Sequence, residues 1–317
     1  MMQTFRLGDV LRGLLLNAPK EPNLACPRQG LTGVSPLSNS TLWKETLAQR
    51  CARVTLARWS GLHLEGLASA RVRSGHRAWE IDRLFLADGS RRRSTNGRRE
   101  HSLPVEAAQE LIESVVQATG EFGAERFFLR VPYGSPVVSM LRQVGFFPCF
   151  EESLWEGSGD PPVGSRTTLP MEWRELLPKD SFALFQLFCS ATPHTVRAAL
   201  GVTFDQWHDA QENHWRGRRD WVTIANDRII GWLTLSHGRG VTEIEVMAHP
   251  DNPELWEALV ERTVGQEGPQ RWLVPDYQKE VPGLLLQRRF HEVARYSMMI
   301  KTVAVPVWSS GMAPVEA

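Results

Sequence analysis

The sequence carries one order of elements twice, and this constrains its fold more than any other feature. The first half contains VTLARWSGLHLEGLASARV followed by AWEIDRLFL, and the second contains WVTIANDRIIGWLTLS followed by VTEIEVMAH. Each reads as two strands joined by a tight polar turn, then a third strand after a glycine-bearing turn. The third strands share Glu-Ile-acid, as Glu80-Ile81-Asp82 and Glu243-Ile244-Glu245.

A helix follows in each half. In the first, Val105, Ala108, Ile112, Val115 and Thr119 recur three and four residues apart, the spacing of one helix face. Pro104 stands near its start and Gly120 at its end. In the second, Pro253 starts the expected helix and Gly265 ends it, with Leu255, Trp256, Leu259, Val260 and Thr263 on the apolar side. Matching strands come next, RFFLRVPYG and RWLVPDYQ, then a short helix ending in SMLRQVGFF or GLLLQRRFH, then an expected terminal strand pair. Glu80 to Phe146 spans 66 positions and Glu243 to Phe290 spans 47. The difference of 19 falls mainly in one insertion, residues 88–102.

A chain of 317 residues exceeds the usual single domain, so two domains are expected. The Gly-, Pro- and Ser-rich stretch EGSGDPPVGSR supplies a linker at 156–166. It separates an N-terminal domain, 1–155, from a C-terminal domain, 167–305, with a tail at 306–317. Both read as α/β units with a mixed sheet. The formal net charge of zero provides no global attraction to nucleic acid or to a membrane surface. Cys26, Cys51, Cys149 and Cys189 are widely spaced and form no C-x-x-C pair. They read as free thiols in a reducing cytoplasm, not as zinc ligands or a disulfide framework. No H-E-x-x-H or G-x-S-x-G motif is present, and no metal site is expected. The apolar N-terminal stretch is interrupted by Arg12 and is too short to span a bilayer.

Hairpin, strand, helix, strand, helix and final strands is an order that resembles the GNAT N-acetyltransferase superfamily. The resemblance covers roughly residues 50–155 and 168–303. SMLRQVGFF matches the family's A-x-x-L-Y-x-x-x-G-F helix at Gly145-Phe146, whereas LLLQRRFHEV keeps Phe290 but has Arg289 at the glycine position. The resemblance implies two tandem acyl-CoA N-acyltransferase folds, acetyl-CoA as cofactor, and transfer of an acyl group to the amine of a small molecule or protein. A non-catalytic tandem protein that binds a ligand or partner is the alternative.

Much of the family's chemistry is altered. The expected phosphate loop, Q/R-x-x-G-x-G/A, works because backbone N–H groups at a helix N-terminus stabilise anionic oxygens. The second half has MAHPDNPELW there, without glycine and with the carboxylate of Asp251. In the first half Arg91, Arg92, Arg93, Arg98 and Arg99 crowd the insertion. Arginine pairs bidentately with phosphate, so they are candidate coenzyme ligands, with a solvated surface loop as the alternative. Five arginines without interleaved aromatics are weak evidence for a nucleic-acid surface. The family's usual tyrosine acid is Leu141 in one half and Leu285 in the other, and its usual asparagine is Gly134 and Gln278. Tyr133 and Tyr277, at the ends of corresponding strands, remain as candidate acids. Glu80 and Asp82, like Glu243 and Glu245, are two residues apart and share a strand face. These four are candidate bases. Phe204, Trp207 and Trp215 are candidate acceptor-side contacts. The first half, with its intact Gly145-Phe146 and its arginines, is the expected coenzyme-binding half.

Overall fold

The computed structural model describes residues 2–4, 23–31, 53–60, 63–86, 105–158, 172–212, 217–238, 240–263 and 268–303. In the first half these form β1 (Met2–Thr4), α1 (Arg28–Leu31), β2 (Arg53–Ser60), β3 (His63–Val72), β4 (Ala78–Leu86), α2 (Val105–Gly120), β5 (Arg126–Pro132), α3 (Val137–Gln143) and β6 (Phe147–Gly157). In the second they form β7 (Trp173–Glu175), α4 (Ser181–Ala191), α5 (His194–Leu200), α6 (Phe204–Ala210), β8 (Arg219–Ala225), β9 (Arg228–Gly238), β10 (Val241–Ala248), α7 (Leu255–Arg262), β11 (Gln270–Pro275), α8 (Glu280–Gln287) and β12 (His291–Thr302). The repeated hairpin, strand and helix are all present. On α2 the expected apolar stripe is buried at Ala108, Ile112, Val115 and Thr119, whereas Val105 is exposed at the first position. The second long helix starts at Leu255, two residues after Pro253, and buries Leu255, Trp256, Leu259 and Val260. β6 runs through Gly157, so Glu156 and Gly157 belong to a strand and not to a linker. Residues 159–171, most of the expected linker, lie outside the described residues.

All twelve strands join one sheet in the order β1-β2-β3-β4-β5-β12-β6-β11-β10-β9-β8-β7. Each half was expected to close with its own strand pair. Instead each ends in one long strand that is donated to the other half. β12 pairs antiparallel with β5 from Tyr296 opposite Pro132 to Thr302 opposite Arg126. β6 pairs antiparallel with β11 from Gly157 opposite Gln270 to Glu152 opposite Pro275. β6 and β12 also pair with each other, so the strand order is the same read outward from either side of that seam.

The exchange reaches into the cores. Met299 of β12 packs into the first-half core with Trp79, Ile112 and Phe127. Trp155 of β6 packs into the second-half core with Leu259, Trp272 and Phe290. Burying one side chain of this kind contributes about 1.5–3 kcal/mol, so each half is stabilised by a strand from the other. Gly157 is needed at the end of β6, because a Cβ there would lie 2.6 Å from the Phe290 ring. The two positions that end α3 and α8 also correspond. Gly145 has φ +85° and Arg289 has φ +61°. The second half keeps the left-handed turn without glycine, at a cost of about 1–2 kcal/mol.

Strand alternation sorts the two faces of the sheet. Trp79, Ile81 and Leu84 of β4 face α2, and Ile244, Val246 and Ala248 of β10 face α7. Glu80, Asp82, Glu243 and Glu245 therefore point to the opposite face, where α1 and α4–α6 lie. Those helices cross the seam: Gly75 N donates to Asp209 O (3.2 Å), and Arg77 pairs with Asp209 at 2.7 Å.

Candidate functional site

Each half has a cleft where two parallel strands diverge. β4 and β5 pair only from Ala78 to Glu80, and β10 and β11 only from Thr242 to Ile244. Beyond those residues the strands separate and leave backbone groups without strand partners.

The first cleft is filled by the chain itself. Asn23 Nδ2 donates to Asp82 O (2.9 Å), and Asn23 Oδ1 accepts from Leu84 N (2.8 Å). Leu24 N donates to Leu84 O (3.0 Å), and Cys26 N donates to Arg130 O (2.8 Å). Residues 23–26 thus bond to both separated strands.

The second cleft opens onto a cavity of about 160 Å3. Its walls include Phe188, Trp207, Trp232 and Phe150, and its polar lining includes Glu152, Glu212, Glu245, Tyr277 and Gln278. Gln278 Nε2 donates to Val246 O (2.9 Å) at its edge. The Tyr277 ring packs edge-on against Phe150 with centroids 5.9 Å apart. Burial, reinforced by the nearby Glu152 carboxylate, raises the Tyr277 hydroxyl pKa against the opposing effect of a hydrogen bond with Thr192. Tyr277 therefore keeps its proton at neutral pH.

The acids are ion-paired in both halves, by different means. Arg71 of β3 stands opposite Glu80 and pairs with it at 2.7 Å, and Arg53 reaches Asp82 at 2.8 Å. Burial pushes Asp82 up, but Arg53, Arg83 and Arg71 outweigh it and hold the carboxyl low. The position opposite Glu243 on β9 is Ser236. Here the cation comes from α1: Arg28 lies 2.6 Å from Glu243, 2.6 Å from Glu245 and 2.5 Å from Glu212. One guanidinium serves three carboxylates. Burial raises both Glu243 and Glu245 against the pull of Arg28, and neighbouring carboxylates raise them further. Glu212 goes the other way. Burial opposes its charge, but Arg130, Arg28 and Arg73 hold it well below the usual carboxylate range. Arg130 is itself clamped by Glu152 at 2.6 Å, which ties the network to β5 and β6.

The coenzyme-phosphate position of the second half, His249 to Leu255, is a turn that satisfies itself. Asn252 N donates to His249 O (3.0 Å) and Leu255 N donates to Asn252 O (3.0 Å). Asp251 N donates to His249 Nδ1 (3.3 Å), and the Asp251 carboxylate is exposed there. These amides are engaged and the local charge is negative, so the turn does not fit a pyrophosphate.

No family model matches the chain, and no curated protein matches it. Solved structures do. A GCN5-related N-acetyltransferase from Sphaerobacter thermophilus superposes with a TM-score of 0.51 at 15% identity, over 95% of each chain. A putative acetyltransferase from Pyrococcus horikoshii gives 0.50 at 12% identity, over 96% of this chain and 90% of that one. A tandem GNAT protein from the clavulanic acid biosynthesis pathway gives 0.50 at 12% identity, over 95% of this chain and 98% of that one. The chain has the tandem GNAT fold.

Within the tandem GNAT fold, the candidate residues separate. Glu245 and Tyr277 line one cavity. Glu243 lies beside it, held by the same Arg28. Tyr133 does not join a site: its side chain is exposed, with Arg295 over the ring at 5.8 Å. Glu80 and Asp82 share a face as expected but are held in ion pairs under a filled cleft. Residues 23–26 occupy the first cleft, whereas the second opens onto the cavity. Arg91, Arg92, Arg93, Arg98 and Arg99 lie outside the described residues, as does Trp215. Trp207 lines the cavity, while Phe204 packs on Phe185 and Phe182.

Sequence reasoning missed Arg28, Arg71, Arg73, Arg130, Glu152 and Glu212. Arg71 and Arg73 had a signal: they are two residues apart at the end of the strand before Glu80-Ile81-Asp82, Arg73 one residue past it. Arg28, on the one-turn helix α1, and Glu212, just past α6, had none, since both reach the site from segments distant in sequence.

Proposed function

We propose that the protein is a GNAT-type N-acyltransferase with one active centre, in the second half, which transfers an acyl group from acetyl-CoA to an amine. The observation that carries this reading is the cavity where β10 and β11 separate, lined by a protonated tyrosine and a carboxylate of raised pKa. Coenzyme A would supply the acyl group as a thioester. Glu245, shifted towards neutrality, takes a proton from the acceptor ammonium, either directly or through water. The free amine would form the new C–N bond as the C–S bond breaks; Tyr277 would give its proton to the departing sulfur and be reprotonated by the second proton that the nitrogen loses as the amide forms. Trp207, Trp232 and Phe188 exclude water and shape the acceptor end. A volume of about 160 Å3 suits a small amine, or the amine-bearing end of a larger chain, better than a bulky acceptor. The self-bonded turn His249–Leu255 means that the pyrophosphate is not gripped there, so the donor is held mainly through its acyl end. Among the described residues no helix is long and apolar enough to cross a membrane. Free thiols at Cys26, Cys149 and Cys189 agree with a reducing cytoplasm.

The same turn favours a second reading, in which the cavity binds an amine without turnover. Titration with acetyl-CoA followed by thermal unfolding separates the two. Saturation a hundredfold above Kd stabilises the folded chain by about 2.7 kcal/mol. Absence of any shift at millimolar acetyl-CoA sinks the acyltransferase reading, and binding of amines alone then supports the second.

A further inference from the structure

We infer that residues 23–31 are an internal ligand of the first cleft, and that this segment completes the second cleft by delivering Arg28 as a positioning residue. The inference does not depend on acyl transfer. It rests on two sets of contacts made by one short stretch of chain.

The first set is peptide-like. Asn23, Leu24 and Cys26 satisfy Asp82 O, Leu84 N, Leu84 O and Arg130 O, backbone groups that the divergence of β4 and β5 leaves without strand partners. Adding an extended segment to separated strands is a recurrent way to hold a peptide, with affinity supplied by main-chain hydrogen bonds. Here the peptide belongs to the same chain, so no translational entropy is lost when it binds.

The second set begins four residues after Leu24. Arg28 is almost fully buried and bonds to Glu212, Glu243 and Glu245. On the first half's own pattern, the cation for Glu243 would come from β9, as Arg71 on β3 serves Glu80. Ser236 occupies that position, and its hydroxyl makes no hydrogen bond among the described residues. The second half thus has no cation at that cross-strand position, and the segment seated in the first half supplies one at 2.6 Å from Glu243 and Glu245, with Arg218 of the second half also acting on Glu245. Further ties anchor the segment. Gln29 accepts from Arg71 (2.6 Å), and Leu31 O accepts from Arg271 of β11. Release of the segment from the first cleft would withdraw Arg28 and leave three carboxylates together in the second. The two clefts are therefore coupled through residues 23–31, and among the described residues the second is the one that opens onto a cavity.

Hydrogen exchange on the full-length protein tests this. Asn23→Ala removes two hydrogen bonds to β4 and one within the segment, from Ala25 N, and touches nothing in the second cleft. The expected result is faster exchange in residues 23–31 and also in β10, residues 241–248, by about tenfold or more where charged hydrogen bonds are lost. Faster exchange confined to 23–31 and β4 overturns the coupling. If Asn23→Ala fails to fold, Arg28→Gln reads the same link from the other end: exchange in 241–248 rises if Arg28 positions the carboxylates, and unchanged exchange there overturns the inference. Acetyl-CoA at millimolar concentration, added to the unmodified protein, is expected to leave 23–31 protected. Faster exchange in that segment would mean that coenzyme displaces it, and would overturn its role as the resident ligand. Failure of coenzyme to bind anywhere, with 23–31 protected and coupled, sinks the acyltransferase reading alone.

Discussion

The two clefts share a backbone plan but differ in what fills them. In the first, the carboxylates Glu80 and Asp82 are neutralised by arginines of their own hairpin, and the space between β4 and β5 is taken by residues 23–26. In the second, the carboxylates depend on a guanidinium from the other half, and the space between β10 and β11 remains a cavity. One cross-strand position shows the difference most simply: Arg71 faces Glu80, whereas Ser236 faces Glu243. A duplicated unit that gives up a charge on one strand can recover it from a remote segment, provided that the segment is already anchored. The anchoring half then serves as a scaffold, and the half without the cross-strand cation keeps a cavity where its strands separate.

Glu212→Gln challenges this contrast most severely. Glu212, in the second half, bonds to Arg28, Arg73 and Arg130 of the first, and so ties the two halves together. Removing its charge leaves buried guanidiniums underpaired, and denaturant unfolding at neutral pH should show a loss of about 3–5 kcal/mol. Its carboxyl pKa is depressed in the folded state, so its contribution is present above the ordinary carboxylate range and fades as pH falls through the depressed value. A loss below about 1 kcal/mol, the range of an exposed pair, would mean that the halves are not tied through this network.

The tyrosines come next. If the second cleft holds the chemistry, Tyr277→Phe lowers kcat by about a hundredfold or more, within the range of a lost general acid. Tyr133→Phe, on the exposed counterpart, leaves kcat unchanged. Equal effects in steady-state assays of the two variants would erase the distinction between the halves.

The smallest effect on stability is expected at Glu245. Its folded pKa is raised by burial, so its contribution to stability is present below the unfolded value and is lost as pH rises through the folded one. Glu245→Gln should therefore be neutral or stabilising at pH 7, by up to about 1 kcal/mol, and should flatten the stability profile above the ordinary carboxylate pKa of about 4.3. The same variant should lose acyl transfer. A steeper fall in stability towards alkaline pH would contradict the crowding of three carboxylates on Arg28.

Much of the site was legible in part. The i, i+2 spacing of Glu243 and Glu245 placed both on one face, and both meet Arg28 there. Tyr277 was legible from its place at a strand end. What separates it from Tyr133 was not, because the difference lies in which helices cover each end. Gly145 and Arg289 were aligned from sequence, and both adopt positive φ, so the correspondence of α3 and α8 holds down to a single turn.

The sequence by itself determined the repeat, the strand and helix periodicities, and the shared face of each acidic pair. These depend on spacings of two to four residues, which local geometry translates directly into direction. Only the tertiary structure decided that β6 and β12 change places and that residues 23–31 close one cleft while completing the other. Strand alternation says which side chains face a core but not whose core it is. β6 and β12 end related halves, so either half offers each of them a compatible edge. That choice, like the reach of Arg28 to carboxylates more than 180 residues away, is made by long-range packing and charge, which no local pattern records.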